Sequence, residues 1–175
     1  MQSSLAKPSL IVFGGLPGTG KTTLARALAK EVSAVYLRID SIEQALRDTG
    51  LISGDIGPTG YLVAYALAET NLRLGQIVVA DCVNPIAATR NAWRRVARDA
   101  SAALVGIEVV CSDPVEHRAR IETREIDVSG LTPPTWQEVV DCDYAPWQPD
   151  IRINTAHRDV EDALAELSSQ INRTT

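Results

Sequence analysis

The stretch Gly15-Leu16-Pro17-Gly18-Thr19-Gly20-Lys21-Thr22 constrains this chain more than any other, because it fills every fixed position of the pattern G-x-x-x-x-G-K-[ST]. Such a loop needs a buried strand leading in and a helix leading out. Leu10-Ile11-Val12-Phe13 reads as the strand, and Thr23-Leu24-Ala25-Arg26-Ala27-Leu28-Ala29-Lys30 reads as the helix. Glycines let the backbone curl so that successive N–H groups point inward, and the helix N-terminus adds partial positive charge. The sequence therefore predicts a phosphate-binding loop built from Gly15, Pro17, Gly18, Thr19, Gly20, Lys21, Thr22 and Thr23. Lys21 would reach the β- and γ-phosphates of a nucleoside triphosphate, and the Thr22 hydroxyl would ligate Mg²⁺.

The rest of the chain supplies a matching frame. At 175 residues it is long enough for one core and short for two, so residues 1–175 read as a single domain. Apolar runs recur at Ser33–Ile39, Gln76–Ala80, Leu104–Val110 and Ile151–Ile153, with helical patterns between them. That alternation argues for an α/β fold, a parallel sheet covered by helices on both faces. Helix starts are expected at Ser41 with Gln44, at Asp113-Pro114 with Glu116, and at Asn84-Pro85. Val160, Ala163, Leu164, Leu167 and Ile171 give the last helix an apolar stripe. Thr49 to Pro58 and Arg124 to Trp147 break the rhythm as long irregular segments, a length that usually accompanies function.

Charge and composition narrow the partners. The formal net charge is −5 with no lysine–arginine run, which disfavours a polynucleotide partner. Cys82, Cys111 and Cys142 are scattered and odd in number, against a disulfide framework or a zinc site. No apolar stretch approaches a membrane span and the N-terminus has no leader pattern, so the cytoplasm is the expected compartment.

Several side chains could carry chemistry at the carboxyl ends of the strands, where ligands bind in open parallel sheets. Asp40 follows one apolar run and could accept the proton of an acceptor hydroxyl, or could cap the next helix. Ser41 can supply that cap, which favours the catalytic role. Asp81 follows Ile77-Val78-Val79-Ala80 in the manner of a Walker B aspartate, and could serve Mg²⁺ or the acceptor. Cys82 stands next, where motor-type ATPases place a glutamate to activate water; its presence suits transfer to an acceptor other than water. The chain has no Asn-Lys-x-Asp guanine-reading motif. Arg120 and Arg124 lie four apart on one helix face, either as lid arginines near the moving phosphoryl group or as surface charges balanced by Glu116 and Glu122. Arg90 could touch an anionic group of the acceptor, whereas Arg94, Arg95 and Arg98 read as surface charges. Trp93 reads as core, and Trp136, Tyr144 and Trp147 as packing that anchors the irregular segment.

Gly15 to Thr23, Asp40, Asp81-Cys82-Val83-Asn84-Pro85 with Arg90 and Trp93, Pro134-Thr135-Trp136, and Tyr144-Ala145-Pro146-Trp147 together resemble a family of small P-loop kinases described as AAA-type ATP-binding or adenylylsulfate-kinase-like proteins. The chain is more distantly similar to the kinase domain of phage polynucleotide kinase, zeta toxins, gluconate kinases and chloramphenicol phosphotransferase. The resemblance implies a three-layer sandwich around a five-stranded parallel sheet in the order 2-3-1-4-5, with a lid at about residues 115–147. It also implies Lys21 and Thr22 as phosphate and Mg²⁺ residues, Asp40 as general base, Arg120 or Arg124 as the lid arginine, and Asp81 on the metal or acceptor side. The expectation is an ATP- and Mg²⁺-dependent phosphotransferase acting on a hydroxyl of a small-molecule acceptor. The alternatives are a zeta-toxin-like nucleotide-sugar kinase, a nucleic-acid 5′-end kinase and a non-catalytic nucleotide-gated binding module.

Overall fold

The computed structural model describes residues 7–50, 54–125 and 127–174. The chain runs β1 (Ser9–Gly14), α1 (Lys21–Glu31), β2 (Val35–Arg38), α2 (Ile39–Asp48), α3 (Thr59–Arg73) and β3 (Val78–Asp81). It continues through α4 (Ala87–Asp99), β4 (Ala103–Val110), α5 (Pro114–Glu122), α6 (Trp136–Val140), β5 (Ile151–Asn154) and α7 (Val160–Thr174). The strands form one sheet in the order β2-β3-β1-β4-β5, and every pairing is parallel. β1 is central: Leu10 is in register with Val78 of β3 on one side and Leu104 of β4 on the other.

Side-chain alternation along the strands splits the core in two. Ile11 and Phe13 face a cluster with Leu24 and Leu28 of α1, Ile107 and Val109 of β4, and Leu167 and Ile171 of α7. Leu10 and Val12 face a second cluster with Ala64, Ala68 and Leu72 of α3 and Trp93 and Val96 of α4. All six residues of β1 are buried, as a strand covered on both faces requires. The edge strand β5 instead alternates, with Ile151 and Ile153 inside and Arg152 and Asn154 outside.

Two helix starts differ from the sequence expectation. α2 begins at Ile39 directly from the end of β2, so Asp40 sits in its first turn and Ser41 makes no cap. Burial of Ile39 pulls the turn inward, and Gln44 donates to Asp48 instead (2.8 Å). α4 begins at Ala87, with Asn84 left outside it in a left-handed conformation at φ 52°. That bend is held from outside the segment, since the Tyr61 hydroxyl accepts from the Asn84 N–H at 3.1 Å. The start at Asp113 forms as expected: its carboxylate accepts from the N–H groups of Val115 and Glu116, with Pro114 at the first helical position. The irregular stretch before β5 contains the short α6, closed by a Thr135–Glu138 capping box. The segment 49–58 lies partly outside the described residues. Among the described residues no helix is long and apolar enough to cross a membrane.

Candidate active site

The glycine loop joins β1 to α1 at the centre of the carboxyl edge. Gly15 has φ 142°, and a Cβ there would stand 2.3 Å from the Val109 carbonyl oxygen. Gly18, at φ 82°, passes so close to α5 that a Cβ would meet Ile121 at 2.6 Å. Both positions favour glycine by their positive φ, and at Gly15 the backbone carbonyl also leaves no space for a Cβ, whereas at Gly18 the Ile121 side chain would have to move. The loop is braced from within by Thr19, whose hydroxyl donates to the Leu16 carbonyl (2.9 Å). It is also braced from α5, where Nε2 of the buried His117 donates to the Pro17 carbonyl at 2.7 Å. Trp136 of α6 meets the same imidazole edge-to-face at 5.2 Å, so α6, α5 and the loop form a stack.

α1 starts at Lys21 with no side-chain cap and no acidic residue in its first turn. Its first N–H groups and helix dipole therefore face the cavity without a competing carboxylate, a setting that favours an anion. That cavity, about 460 Å³, is lined by Gly18, Gly20, Lys21, Thr22, Thr23 and, from α5 and its exit, Arg120 and Arg124. The Arg120 guanidinium is firmly held: Nη2 donates to Glu116 (2.6 Å) and to the Thr155 carbonyl (2.9 Å), and Nη1 donates to the Thr155 hydroxyl (2.8 Å). The same hydroxyl donates to the Thr19 carbonyl at 2.7 Å, tying the loop after β5 to the phosphate loop. The structure thus brings the glycine loop and both arginines to one cavity.

Asp40 and Asp81 meet at a second focus beside it, around a residue to which the sequence reading assigned no role. Arg38 ends β2 with a side chain only 3% exposed; it lies 3.4 Å from Asp40, 3.9 Å from Asp81 and 2.7 Å from Asp127. Asp81 is buried and accepts from the Tyr36 hydroxyl at 2.7 Å. Burial, and then the Asp81 charge, push the Tyr36 phenol upward and keep it protonated. Hydrogen bonds from Arg38 foremost, and then from Arg26, hold the Asp127 carboxyl well below the usual carboxylate range. Asp40 and Asp127 are the open members of the group, with 36% and 37% of their side chains accessible, whereas Asp81 is enclosed. The Cys82 thiol is buried, lies 3.3 Å from the Phe13 carbonyl and is pushed up to about 12 by burial, so it stays protonated. The signal for Arg38 was a lone cation closing a buried strand. Asp127 carried none, since 89 residues separate it from Arg38.

Arg90 is elsewhere. Its guanidinium donates to the carbonyls of Asn84 (3.0 Å), Pro85 (2.8 Å) and Pro146 (3.4 Å). It also lies 5.3 Å from the ring centre of Tyr144 and 4.8 Å from that of Trp147. Trp147 in turn donates to the buried Glu108 and to the Tyr144 hydroxyl, both at 3.1 Å. A separate cavity of about 170 Å³ adjoins this frame. The two tryptophans and Tyr144 therefore pack the irregular segment onto the body, and Arg90 is a strut of the same frame.

A parallel sheet ordered 2-3-1-4-5, with a glycine loop after its central strand, is the P-loop kinase fold. The chain belongs to the AAA domain family, whose profile matches residues 10–132. It is 33% identical over 160 residues to the uncharacterized protein Rv2004c of Mycobacterium tuberculosis, a match covering 84% of this chain and 32% of that one. The chain thus spans about a third of the length of the mycobacterial relatives it matches. A probable adenylyl-sulfate kinase of Pseudomonas aeruginosa is 29% identical over 168 residues, covering 89% of this chain and 73% of that one. The APS kinase CysC of Mycobacterium tuberculosis, solved in complex with AMPPNP and APS, shares the fold with a TM-score of 0.71 at 17% identity, covering 95% of this chain and 98% of that one.

Proposed function

We propose that this protein is an ATP- and Mg²⁺-dependent phosphotransferase of the cytoplasm that phosphorylates a hydroxyl of a small-molecule acceptor, with residues 115–147 as its lid. The observation that carries this reading is Asp40, accessible in the first turn of α2 and paired with Arg38, whose other partner Asp127 lines the cavity that gathers Lys21, Arg120 and Arg124. Family membership and the nucleotide-bound fold neighbour support it.

The residues fit the cofactors. Gly15 and Gly18 take positive φ where the loop bends, Gly15 with a backbone carbonyl where a Cβ would stand, and the uncapped start of α1 offers N–H groups to phosphate oxygens. Thr22 and Asp81 are the oxygen donors suited to Mg²⁺, which when bound would neutralise charge on the phosphates. Lys21 and the N–H groups of α1 hold the triphosphate, and Arg120 and Arg124 offset charge on the transferring group. Asp40 accepts the proton of the acceptor hydroxyl as that oxygen bonds to the γ-phosphorus and ADP leaves. With Cys82 protonated and buried, no carboxylate follows Asp81 to activate water.

The test is ATP turnover with Mg²⁺ against sugars, sugar acids, nucleosides, nucleotide sugars, hydroxylated antibiotics and oligonucleotide 5′ ends. Acceptor-dependent ADP release with a phosphorylated small molecule is the expected result. Tight ATP binding with no acceptor-stimulated release would instead favour a nucleotide-gated binding module.

A further inference from the structure

Arg38 carries a permanent charge into the protein interior, so it requires counter-charge nearby. Three carboxylates surround it, but they are not equivalent. Asp81 is engaged by Tyr36 and stands 3.9 Å away, and Asp40 stands 3.4 Å away. The short contact is Asp127, whose Oδ2 accepts from Arg38 Nη1 at 2.7 Å and from Arg26 Nη2 at 2.6 Å. Nε of Arg38 is buried without a hydrogen-bond partner. Two guanidinium groups converging on one oxygen is a geometry that binds anionic ligands strongly. Here the chain supplies the anion itself, from the segment between α5 and α6.

Compensation of the buried Arg38 accounts for Asp127, but stability does not account for the convergence of Arg26 on the same oxygen. The Arg26 and Asp127 side chains are 55% and 37% exposed, and pairs so exposed add little. Location points to function, since Arg26 and Asp127 both line the cavity that holds Lys21 and Thr22, while Arg38 borders Asp40. Replacing the Asp127 carboxylate with another anion would leave the buried charge compensated.

We propose that Arg26 and Arg38 form an anion subsite for the acceptor, that the acceptor bears a carboxylate, sulfate or phosphate besides its reacting hydroxyl, and that Asp127 occupies the subsite until that group displaces it. This rests on the phosphotransferase reading, because it seats the anion next to Asp40.

The experiment titrates the full chain with inorganic sulfate by calorimetry, after Mg²⁺ and a non-hydrolysable ATP analogue have saturated the phosphate loop. Wild type is compared with Asp127→Asn, with Asp127→Ser as a second replacement, and with Asp127→Asn combined with Arg26→Gln. Removing a charged competitor should tighten sulfate binding by about tenfold or more in both single variants, and the added Arg26→Gln should abolish that gain. A sugar acid and a sugar phosphate are then tested as competitors against the neutral sugar. Displacement of sulfate by either anion identifies the group, and displacement by neither overturns the acceptor assignment. Equal sulfate affinity in wild type and both single variants, or a gain insensitive to Arg26→Gln, would reduce the cluster to a structural ion pair and overturn the subsite. Failure to bind the ATP analogue would instead count against the phosphotransferase reading, and the sulfate comparison among variants would still decide the subsite.

Discussion

On the proposed reading, one carboxylate separates an enzyme from a nucleotide-gated module. Asp40 lies in the first turn of α2, accessible and beside Arg38, and it is not needed to cap that helix. Asp40→Asn should lower acceptor-dependent turnover by about two to four orders of magnitude, the usual share of a general base, with ATP affinity unchanged. Steady-state kinetics with nucleotide titration checks this, and near-normal turnover would remove Asp40 from the chemistry. Glycines at the same scale separate conformation from space. Gly75 has φ 83° with open space where a Cβ would stand, whereas Gly15 faces the Val109 carbonyl at 2.3 Å. Gly75→Ala should therefore cost about 1–2 kcal/mol, the penalty of a left-handed alanine. Gly15→Ala should cost more and should weaken ATP binding, as denaturant melts and nucleotide titration of the two variants would show.

At the scale of elements, local signals succeeded where the cap is made within the segment. Asp113-Pro114 starts α5 by itself because its carboxylate reaches its own helix's N–H groups. Ser41 and Asn84-Pro85 carried equally good local signals and failed. Burial of Ile39 winds α2 early, and Tyr61, from α3, claims the Asn84 N–H. The place of Arg90 on the helix after Asp81 suggests an acceptor contact, yet its donors go to the nearby carbonyls of Asn84 and Pro85 and to that of Pro146, which only the folded chain brings close. Arg90→Ala should destabilise the protein by about 2–4 kcal/mol, because buried carbonyls lose donors at roughly 1–3 kcal/mol each. Urea unfolding measures this, and unchanged stability with a raised acceptor KM would restore Arg90 to the acceptor site.

At the scale of the whole molecule, Asp127 ties the segment between α5 and α6 to α1 and to β2 through Arg26 and Arg38. Its pKa is depressed in the folded state, so the stabilisation is fully present above the unfolded value near 3.8 and is lost progressively as pH falls from there through the lower folded value. The melting temperature of wild type should exceed that of Asp127→Asn at pH 6, and the gap should begin to narrow below about pH 4 and keep shrinking as the solution is acidified further. The gap stays small because the carboxylate is 37% exposed and screened. A gap independent of pH would mean that the charge does not hold the segment.

What the sequence alone determined is whatever a contiguous stretch can encode. The phosphate loop is legible because its glycines, lysine and threonine act within eight residues. The α/β class is legible because apolar periodicity is a local property. The strand ends carrying Asp40 and Asp81 are legible for the same reason, and the strand order came from family resemblance. Tertiary structure alone decided which distant side chains share a charge. Arg38 is buried among Asp40, Asp81 and Asp127 because two strand ends and an irregular segment converge there. Electrostatic partnership depends on distance in space, and no spacing along the chain reports that distance.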